Sequence, residues 1–302
     1  ERTAVCCLSS VNLEEYDEWK DNEQFIPDLV RMLDNVLEHF IQNAPDELYR
    51  AKVSAEKERS IGLGAMGFHA YLQRHNIPFE SVLAKGANNR MFTRIKKEAV
   101  RATRQLADER GECPDGIGFG VRNAHLLAVA PNASSSIICG NTSPSIEPYR
   151  ANAFTQKTKS GSSLLKNEYL EHALDEIDQN TDEVWKSIIT NRGSVQHLDF
   201  LDDYTKDVFK TAVEIDQKWI IEFAGDRQKH ICQSQSLNVF FPADVSKQEL
   251  HAVHMMAWKQ KVKTLYYLRS EAMKRAETIS DEALRQYMFD SIDEGACLAC
   301  EG

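Results

Sequence analysis

A serine-rich stretch at residues 126–148 (LLAVAPNASSSIICGNTSPSIEP) combines an apolar strand pattern with small hydroxylated residues. Five small residues follow its first proline: Asn132, Ala133, Ser134, Ser135 and Ser136. Consecutive N–H groups and hydroxyls at the start of a short helix favour the binding of an anion, and phosphate is the expected ligand. An ordinary serine-rich loop remains the alternative from composition alone.

Two adjacent cysteines, Cys6 and Cys7, lie in a predicted strand at residues 3–9. Because side chains alternate across a strand, the two thiols point to opposite faces, and only one of them faces a site. Free cysteine is among the most buried residue types, so two core cysteines are the alternative. This spacing is therefore compatible both with one reactive thiol at a site and with two thiols packed in the core.

A second cysteine pair, Cys297 and Cys300, forms a C-x-x-C near the C-terminus. The surrounding segment 286–302 contains four acidic and no basic residues, which predicts a mobile tail. An exposed thiol with a second thiol nearby favours thiol–disulfide exchange. No second C-x-x-C accompanies the pair, so zinc is not expected, and two incidental tail cysteines are the alternative.

Two further patterns are rejected as binding motifs. Gly62, Gly64 and Gly67 spell G-x-G-x-x-G, but the charged, helix-like residues before them lack the strand that a dinucleotide fingerprint requires. Tight helix packing at these glycines is predicted instead. His251 and His254 are spaced i, i+3 without further ligands at recognisable spacing, so no metal site is expected.

The elements that position these residues alternate between strands and amphipathic helices, which indicates an α/β fold. Besides residues 3–9, strands are predicted at the start of the serine-rich stretch, at 236–241 and at Thr264–Leu268. Helices are predicted at about 27–43, 88–109 and 247–261. The segment 155–163 is predicted to be a loop or flap.

Composition excludes several classes of function. The net charge of −10 argues against a nucleic-acid partner, and the chain lacks an apolar run long enough to span a bilayer. The 302 residues suit one large α/β domain or two ordinary ones. Seven irregularly spaced cysteines without a recognisable signal peptide predict reduced thiols and a cytoplasmic protein.

The serine-rich stretch resembles the phosphate-binding loop of the large, catalytic subunit of class I ribonucleotide reductase. Three more stretches match that family in the same order, at 4–13 (AVCCLSSVNL), 227–241 (RQKHICQSQSLNVFF) and 263–272 (KTLYYLRSEA), and the tail C-x-x-C is a fifth. The resemblance implies the C-terminal half of a ten-stranded α/β barrel with a flexible C-terminal tail. Residues 1–285 would form the barrel part and 286–302 the redox-shuttle tail.

The resemblance also assigns roles for reducing ribonucleoside diphosphates to deoxyribonucleoside diphosphates by thiyl-radical chemistry. Cys6 would be one of two reducing thiols, and residues 132–136 would bind the substrate diphosphate. Cys297 and Cys300 would carry electrons from thioredoxin or glutaredoxin. Tyr266 and Tyr267 would pass an oxidising equivalent from a small subunit that holds a di-metal tyrosyl-radical centre.

A tyrosine pair in a buried strand is usually core packing, and a stacked pair requires a local bend because neighbours on a strand point to opposite faces. No metal or cofactor is expected on this chain.

The family's radical-forming cysteine is expected in an N-x-C-x-E pattern, which does not occur in this sequence. We therefore expect an N-terminal partner chain that carries this cysteine and the allosteric nucleotide sites, so that the chain is a shortened form or one piece of a split subunit. Two alternatives stay open: a non-catalytic assembly or binding module of the same fold, and an unrelated α/β phosphate-binding enzyme.

Overall fold

The computed structural model describes residues 2–158 and 161–270 of the chain. Six β-strands lie within these ranges: β1 (Cys7–Asn12), β2 (Ile61–Met66), β3 (Ala153–Thr158), β4 (Gly161–Lys166), β5 (Val239–Phe241) and β6 (Leu268–Ser270). The first α-helices along the chain are α1 (Tyr16–Trp19), α2 (Phe25–Asn43), α3 (Tyr49–Glu58), α4 (Phe68–Arg74), α5 (Val82–Arg110) and α6 (Ala133–Ile138). They are followed by α7 (Glu168–Asp175), α8 (Asp182–Thr190), α9 (Asp203–Val208), α10 (Gln217–Gln228) and α11 (Lys247–Lys259). Among the described helices, none combines the length and the apolarity that a bilayer span needs.

Five parallel chain segments lie side by side and form the framework of the fold. Strand β1 pairs with β2 in parallel, and Leu63 of β2 forms a parallel bridge with Leu127. The next bridge joins Val129 to Gln235, and β5 then pairs in parallel with β6. Since parallel neighbours require crossover connections, helices cover the sheet between successive segments. The predicted α/β class is therefore confirmed.

The strand boundaries differ from those expected from sequence. The first strand runs over Cys7–Asn12 rather than residues 3–9, and the last over Leu268–Ser270 rather than Thr264–Leu268. The predicted strand at 236–241 is reduced to Val239–Phe241. Apolar composition located these segments, whereas their ends depend on which neighbouring backbone is in register, and that is a tertiary property.

Two other expectations were wrong. The glycines of the G-x-G-x-x-G pattern do not pack helices: Gly62 and Gly64 lie inside the fully buried strand β2, and Gly67 precedes α4 with a φ of 81°. The segment 155–163, expected to be a loop or flap, is not a loop, since most of it belongs to the antiparallel hairpin of β3 with β4. Polar, glycine-containing sequence is common to loops and to hairpins, so composition alone did not separate them.

The predicted helices are present with shifted bounds: two are longer than expected, and the one at 247–261 is two residues shorter. The helix expected at 27–43 is α2, the one at 88–109 is the longer α5, and the one at 247–261 is α11. The side chain of Ser246 accepts the Glu249 N–H at 3.0 Å and so caps α11, as the capping-box spacing predicts. Helices α2 and α5 pack on each other, and α10 packs on both α5 and α11.

A buried carboxylate fixes the beginning of two strands. Asp34 of α2 accepts hydrogen bonds from Arg59 Nε at 2.9 Å, Arg110 Nη1 at 2.8 Å and Asn123 Nδ2 at 3.1 Å. Burial by itself raises the pKa of Asp34, but hydrogen bonds and charge from Arg59, with Arg122 and Arg110, hold it below its ordinary value. Because Arg59 and Asn123 each precede a strand of the sheet, this ion cluster aligns the two strands.

A smaller core lies beside the main one and involves the hairpin and helices α7 to α9. Its buried side chains include Leu170, Leu174, Trp185, Ile188 and Val208. Asn152 connects it to neighbouring loops through its side-chain N–H bonds to Gly193 O at 3.0 Å and Phe209 O at 2.8 Å.

The close approach of β2 to its neighbour predicts a strict requirement for glycine at position 64. A Cβ on Gly64 would lie 2.4 Å from the backbone oxygen of Ala128, so Gly64→Ala forces the two strands apart. We expect Gly64→Ala to lower the free energy of unfolding of the full-length subunit by about 1–3 kcal/mol. Denaturant unfolding of the purified subunit measures the change.

Gly86→Ala is the matched control, because a Cβ at this position of α5 meets no atom within 4 Å. Alanine there is expected to be neutral or to stabilise by roughly 0.5–1 kcal/mol, as in other helix interiors. Equal stability of the two variants would contradict the close-packing interpretation of β2.

Candidate functional site

Cys6 and Cys7 take opposite directions at the start of β1. Cys6 is exposed, whereas Cys7 is partly buried and packs against the main core. The structure thus places Cys7 against the core and leaves Cys6 as the thiol on the open face of the sheet. Leu8 is exposed on the same face, two residues further along the strand.

The thiol of Cys6 lies against the neighbouring strand. Its Sγ is 2.9 Å from the position that a Cβ on Gly62 would occupy, so the absence of a side chain at Gly62 provides the space for the sulfur. Although the residue as a whole is exposed, its sulfur packs against β2, and this burial of the sulfur raises the pKa of Cys6 to about 11. A hydrogen bond from Gln233 opposes this shift, and the Cys7 and Cys232 thiols raise the pKa further. At neutral pH the thiol therefore keeps its proton.

The serine-rich segment follows the third parallel segment and begins α6. Asn132 has left-handed backbone angles, with φ at 55°, and the Ser136 N–H makes the first helical hydrogen bond to Asn132 O at 3.1 Å. The N–H groups of the preceding residues have no helical acceptor at such a terminus, and Ala133, Ser134 and Ser135 are exposed. Backbone donors and two hydroxyls therefore face outward together.

The expected set of three ligand hydroxyls is reduced to two. Ser136 is buried, and its hydroxyl donates to Ala133 O at 3.2 Å within the same turn. Its role in this structure is to close the turn. Ser134 and Ser135 are the exposed hydroxyls of the segment.

A pair of hydrogen bonds joins the serine-rich segment to the strand that follows Cys6. Ser10 Oγ donates to Asn132 Oδ1 at 3.1 Å, and Asn132 Nδ2 lies 3.0 Å from the same hydroxyl. Cys6 and Ser10 are four residues apart, so they share one face of the strand at a spacing of about 13 Å. The candidate thiol and the candidate anion site thus lie on one face of one sheet.

The two tyrosines immediately precede β6. The ring centroids of Tyr266 and Tyr267 are 4.2 Å apart with an interplanar angle of 58°, so the rings are in contact. Regular strand geometry would send them to opposite faces. The Tyr266 N–H donates to Leu237 O at 2.8 Å, whereas the Tyr267 N–H donates to the Asn238 side chain at 3.0 Å. This departure from the backbone ladder provides the local bend that a contacting pair requires.

Other candidate residues do not join this constellation. Cys297 and Cys300 lie outside the described residues. His251 and His254 are exposed on α11, and His254 Nδ1 is 2.7 Å from Leu250 O of its own helix. Within residues 2–158 and 161–270, no group of three or more His, Cys, Asp and Glu side chains has the arrangement of a metal site.

Comparison with known proteins identifies the family. The family model described as the barrel domain of ribonucleotide reductase matches residues 1–118 and 115–268. The chain belongs to the ribonucleotide reductase family. The resemblance expected from the five sequence stretches is confirmed.

Relatives from the reductase family extend along the whole chain. It is 52% identical over 296 residues to the ribonucleoside-diphosphate reductase large subunit of Invertebrate iridescent virus 6, which covers 97% of this chain and 30% of that protein. It is 50% identical over 305 residues to a putative large subunit of Frog virus 3 (isolate Goorha), which covers 100% of this chain and 53% of that protein. The chain therefore spans about half or less of these relatives.

A solved structure from the same family confirms the predicted barrel-type fold. The Actinobacillus ureae class Id ribonucleotide reductase alpha subunit superimposes with a TM-score of 0.84 at 40% sequence identity. The match covers 90% of this chain and 50% of that subunit.

Sequence reasoning missed several residues around the candidate site. Ser10 had a usable signal, because its i+4 spacing from Cys6 places both on one face of a strand. Asn238 also had a usable signal, because it is a polar residue within an apolar strand pattern. Gln233 and Glu147 had no such signal, since their proximity to Cys6 and Asn238 arises from contacts between segments far apart in sequence.

Proposed function

We propose that this chain forms the substrate-binding and reducing part of the large subunit of a class I ribonucleoside-diphosphate reductase. The observation that carries the proposal is the pair of Ser10–Asn132 hydrogen bonds, which fixes the serine-rich segment on the face that presents Cys6. The product would be a deoxyribonucleoside diphosphate.

In this proposal Cys6 is one of two thiols that reduce the ribose. The 2′ C–O bond breaks, hydrogen replaces the hydroxyl, and the hydroxyl leaves as water. Two thiols supply two hydrogen atoms and join in a disulfide, so that atoms and electrons balance. The raised pKa of Cys6 suits this role, because a protonated thiol still carries the hydrogen that the reaction consumes.

The substrate diphosphate is assigned to residues 132–136. The outward N–H groups at the start of α6, with the hydroxyls of Ser134 and Ser135, offer donors to phosphate oxygens. Asn132 supports this segment through Ser10, and Ser136 closes the turn from inside.

The remaining parts of the proposal concern partners. The radical-forming cysteine, the second reducing thiol and the allosteric nucleotide sites are assigned to an N-terminal part of the subunit, and the di-metal tyrosyl-radical centre to a small subunit. Tyr266 and Tyr267 would receive the oxidising equivalent. Cys297 and Cys300 would exchange with the disulfide formed at Cys6 and pass electrons from thioredoxin or glutaredoxin, in the cytoplasm.

Removing the two exposed hydroxyls tests the diphosphate assignment. We expect Ser134→Ala with Ser135→Ala to weaken substrate binding, because each lost charge-assisted hydrogen bond costs about 1.5–3 kcal/mol. Calorimetric titration of the full-length subunit with substrate measures the affinity. Thr190→Ala, which removes an exposed hydroxyl of α8, is expected to leave it unchanged. Equal affinities in all three proteins would refute the diphosphate assignment.

Removing one phenolic hydroxyl tests the radical path. Tyr266→Phe or Tyr267→Phe is expected to abolish turnover in the assembled enzyme, because phenylalanine is much harder to oxidise yet preserves nearly all packing volume. Thermal stability should barely change. Tyr204→Phe, which loses only a hydrogen bond to Asn76 O, should turn over like the wild type. Full activity in both Phe variants of the pair would return these residues to a packing role.

The tail thiols should affect multiple turnovers but not the first. Cys297→Ser is expected to stop turnover driven by thioredoxin while still giving one product per site, because Cys6 and its partner thiol hold two electrons. A small dithiol that reaches the site directly should restore repeated turnover, which serves as the control. Undiminished thioredoxin-driven turnover would show that the tail is not the shuttle.

A further inference from the structure

The contact between the two tyrosines depends on a side chain from the neighbouring segment. Asn238 Oδ1 accepts the Tyr267 N–H at 3.0 Å, so a side chain of the neighbouring segment bonds a backbone N–H that a regular ladder would direct away from this neighbour. The two flanking ladder bonds are Tyr266 N–H to Leu237 O at 2.8 Å and Val239 N–H to Tyr267 O at 3.0 Å. A regular ladder would continue from Tyr266 N–H to Tyr266 O, so one extra residue lies between these bonds, as in a β-bulge. The orientation of a single amide therefore fixes the backbone between the two rings.

Glu147 in turn fixes that amide. Its Oε1 accepts the backbone N–H of Asn238 at 3.3 Å, and the Asn238 side chain is near enough to the Glu147 carboxylate to favour its ionised form. An Asn side chain whose NH₂ group faces a carboxylate must direct its oxygen the other way, toward Tyr267 N–H. Glu147 is 4% exposed, so water does not compete effectively for these bonds.

The charged groups that act on Glu147 are two arginines. Arg150, close in sequence, and Arg269 of β6 both favour its ionised form, and the Arg269 guanidinium lies 5.0 Å from the centroid of the Tyr267 ring. Burial nevertheless dominates and raises the pKa of Glu147 to about 7, with the Asn238 hydrogen bonds and the two arginines opposing the shift. The carboxyl thus changes charge near neutral pH.

We propose that Glu147 is a positioning residue which, through Asn238, holds Tyr267 in contact with Tyr266 for transfer of an oxidising equivalent between them. This inference rests on the proposed role of the tyrosine pair. Ionised Glu147 accepts the backbone N–H of Asn238 and attracts its side-chain NH₂ group. Protonated Glu147 has one fewer acceptor position and gains a donor, so the amide loses its fixed orientation and the bend at Tyr267 loosens.

The test uses the full-length subunit assembled with its small subunit, with turnover measured as a function of pH. Wild-type kcat is expected to fall as pH decreases through about 7, where Glu147 becomes protonated. Glu147→Gln mimics the protonated carboxyl at every pH. One pH unit above that pKa its kcat should be about tenfold or more below wild type, because transfer is sensitive to small displacements. One pH unit below that pKa, the kcat values of Glu147→Gln and wild type should differ far less. The KM should be the same for both proteins at every pH.

Two further variants separate positioning from general damage. Asn238→Ala removes the acceptor of the Tyr267 N–H. Its kcat should be as low as that of Glu147→Gln and should not vary with pH through about 7. Glu14→Gln is the matched control: Glu14 is another buried glutamate, which accepts the hydroxyl of Tyr169 rather than supporting the pair. It is expected to keep the wild-type pH profile.

The outcomes distinguish this inference from the function on which it rests. Inactive Tyr266→Phe and Tyr267→Phe variants together with a wild-type pH profile for Glu147→Gln would overturn the role of Glu147 and leave the radical path intact. Full activity of both Phe variants would overturn the radical path, and the positioning role with it. A Glu147→Gln variant that loses kcat equally at all pH values would show a structural role only.

Discussion

The absence of side chains at Gly62 and Gly64 is the constraint on which the arrangement of this sheet depends. At Gly64 the strand passes so close to Ala128 O that any Cβ would collide with backbone, and at Gly62 the sulfur of Cys6 occupies the space where a side chain would begin. Two glycines in one strand therefore set both the separation of neighbouring backbones and the location of the thiol. Glycine in a strand interior lowers stability. Here it also allows a close approach between neighbouring strands that no residue with a side chain permits.

The same strands connect the candidate site to the rest of the molecule through a few specific hydrogen bonds. Ser10 holds Asn132 and so determines where the serine-rich segment begins. The segment then continues to Glu147, which holds Asn238 and through it the tyrosine pair. Substrate phosphate and radical path, as proposed, would thus be supported from the two ends of one continuous stretch of about fifteen residues.

Sequence predicted the family and the fold class of this chain better than the geometry of the candidate site. The apolar patterns located most of the helices and the approximate strands, and the five matching stretches led to the family, because local composition and short motifs carry that information. The glycine pattern of β2 was assigned to helix packing because a strand of small residues has no apolar periodicity. The contact between Tyr266 and Tyr267 contradicts simple alternation along a strand. The contact depends on the amide of Asn238, which lies almost thirty residues away in the chain, so local sequence patterns could not predict it.

Two buried carboxyl groups in this chain have opposite pKa shifts, and their surroundings indicate a structural role for one and a functional role for the other. Asp34 is surrounded by Arg59 and Arg110 with Asn123 at hydrogen-bonding distance, and its pKa is held below the ordinary value, so it stays ionised across the neutral range and aligns strands at any such pH. Glu147 is buried among amide donors with the arginines acting only through charge, and its pKa rises to about 7. A carboxyl that served structure alone would gain from a close cationic partner like those of Asp34, because an unpaired buried charge is costly. Neutral amide partners hold Glu147 close to the point where its charge changes, and perturbed groups of this kind are concentrated at functional sites.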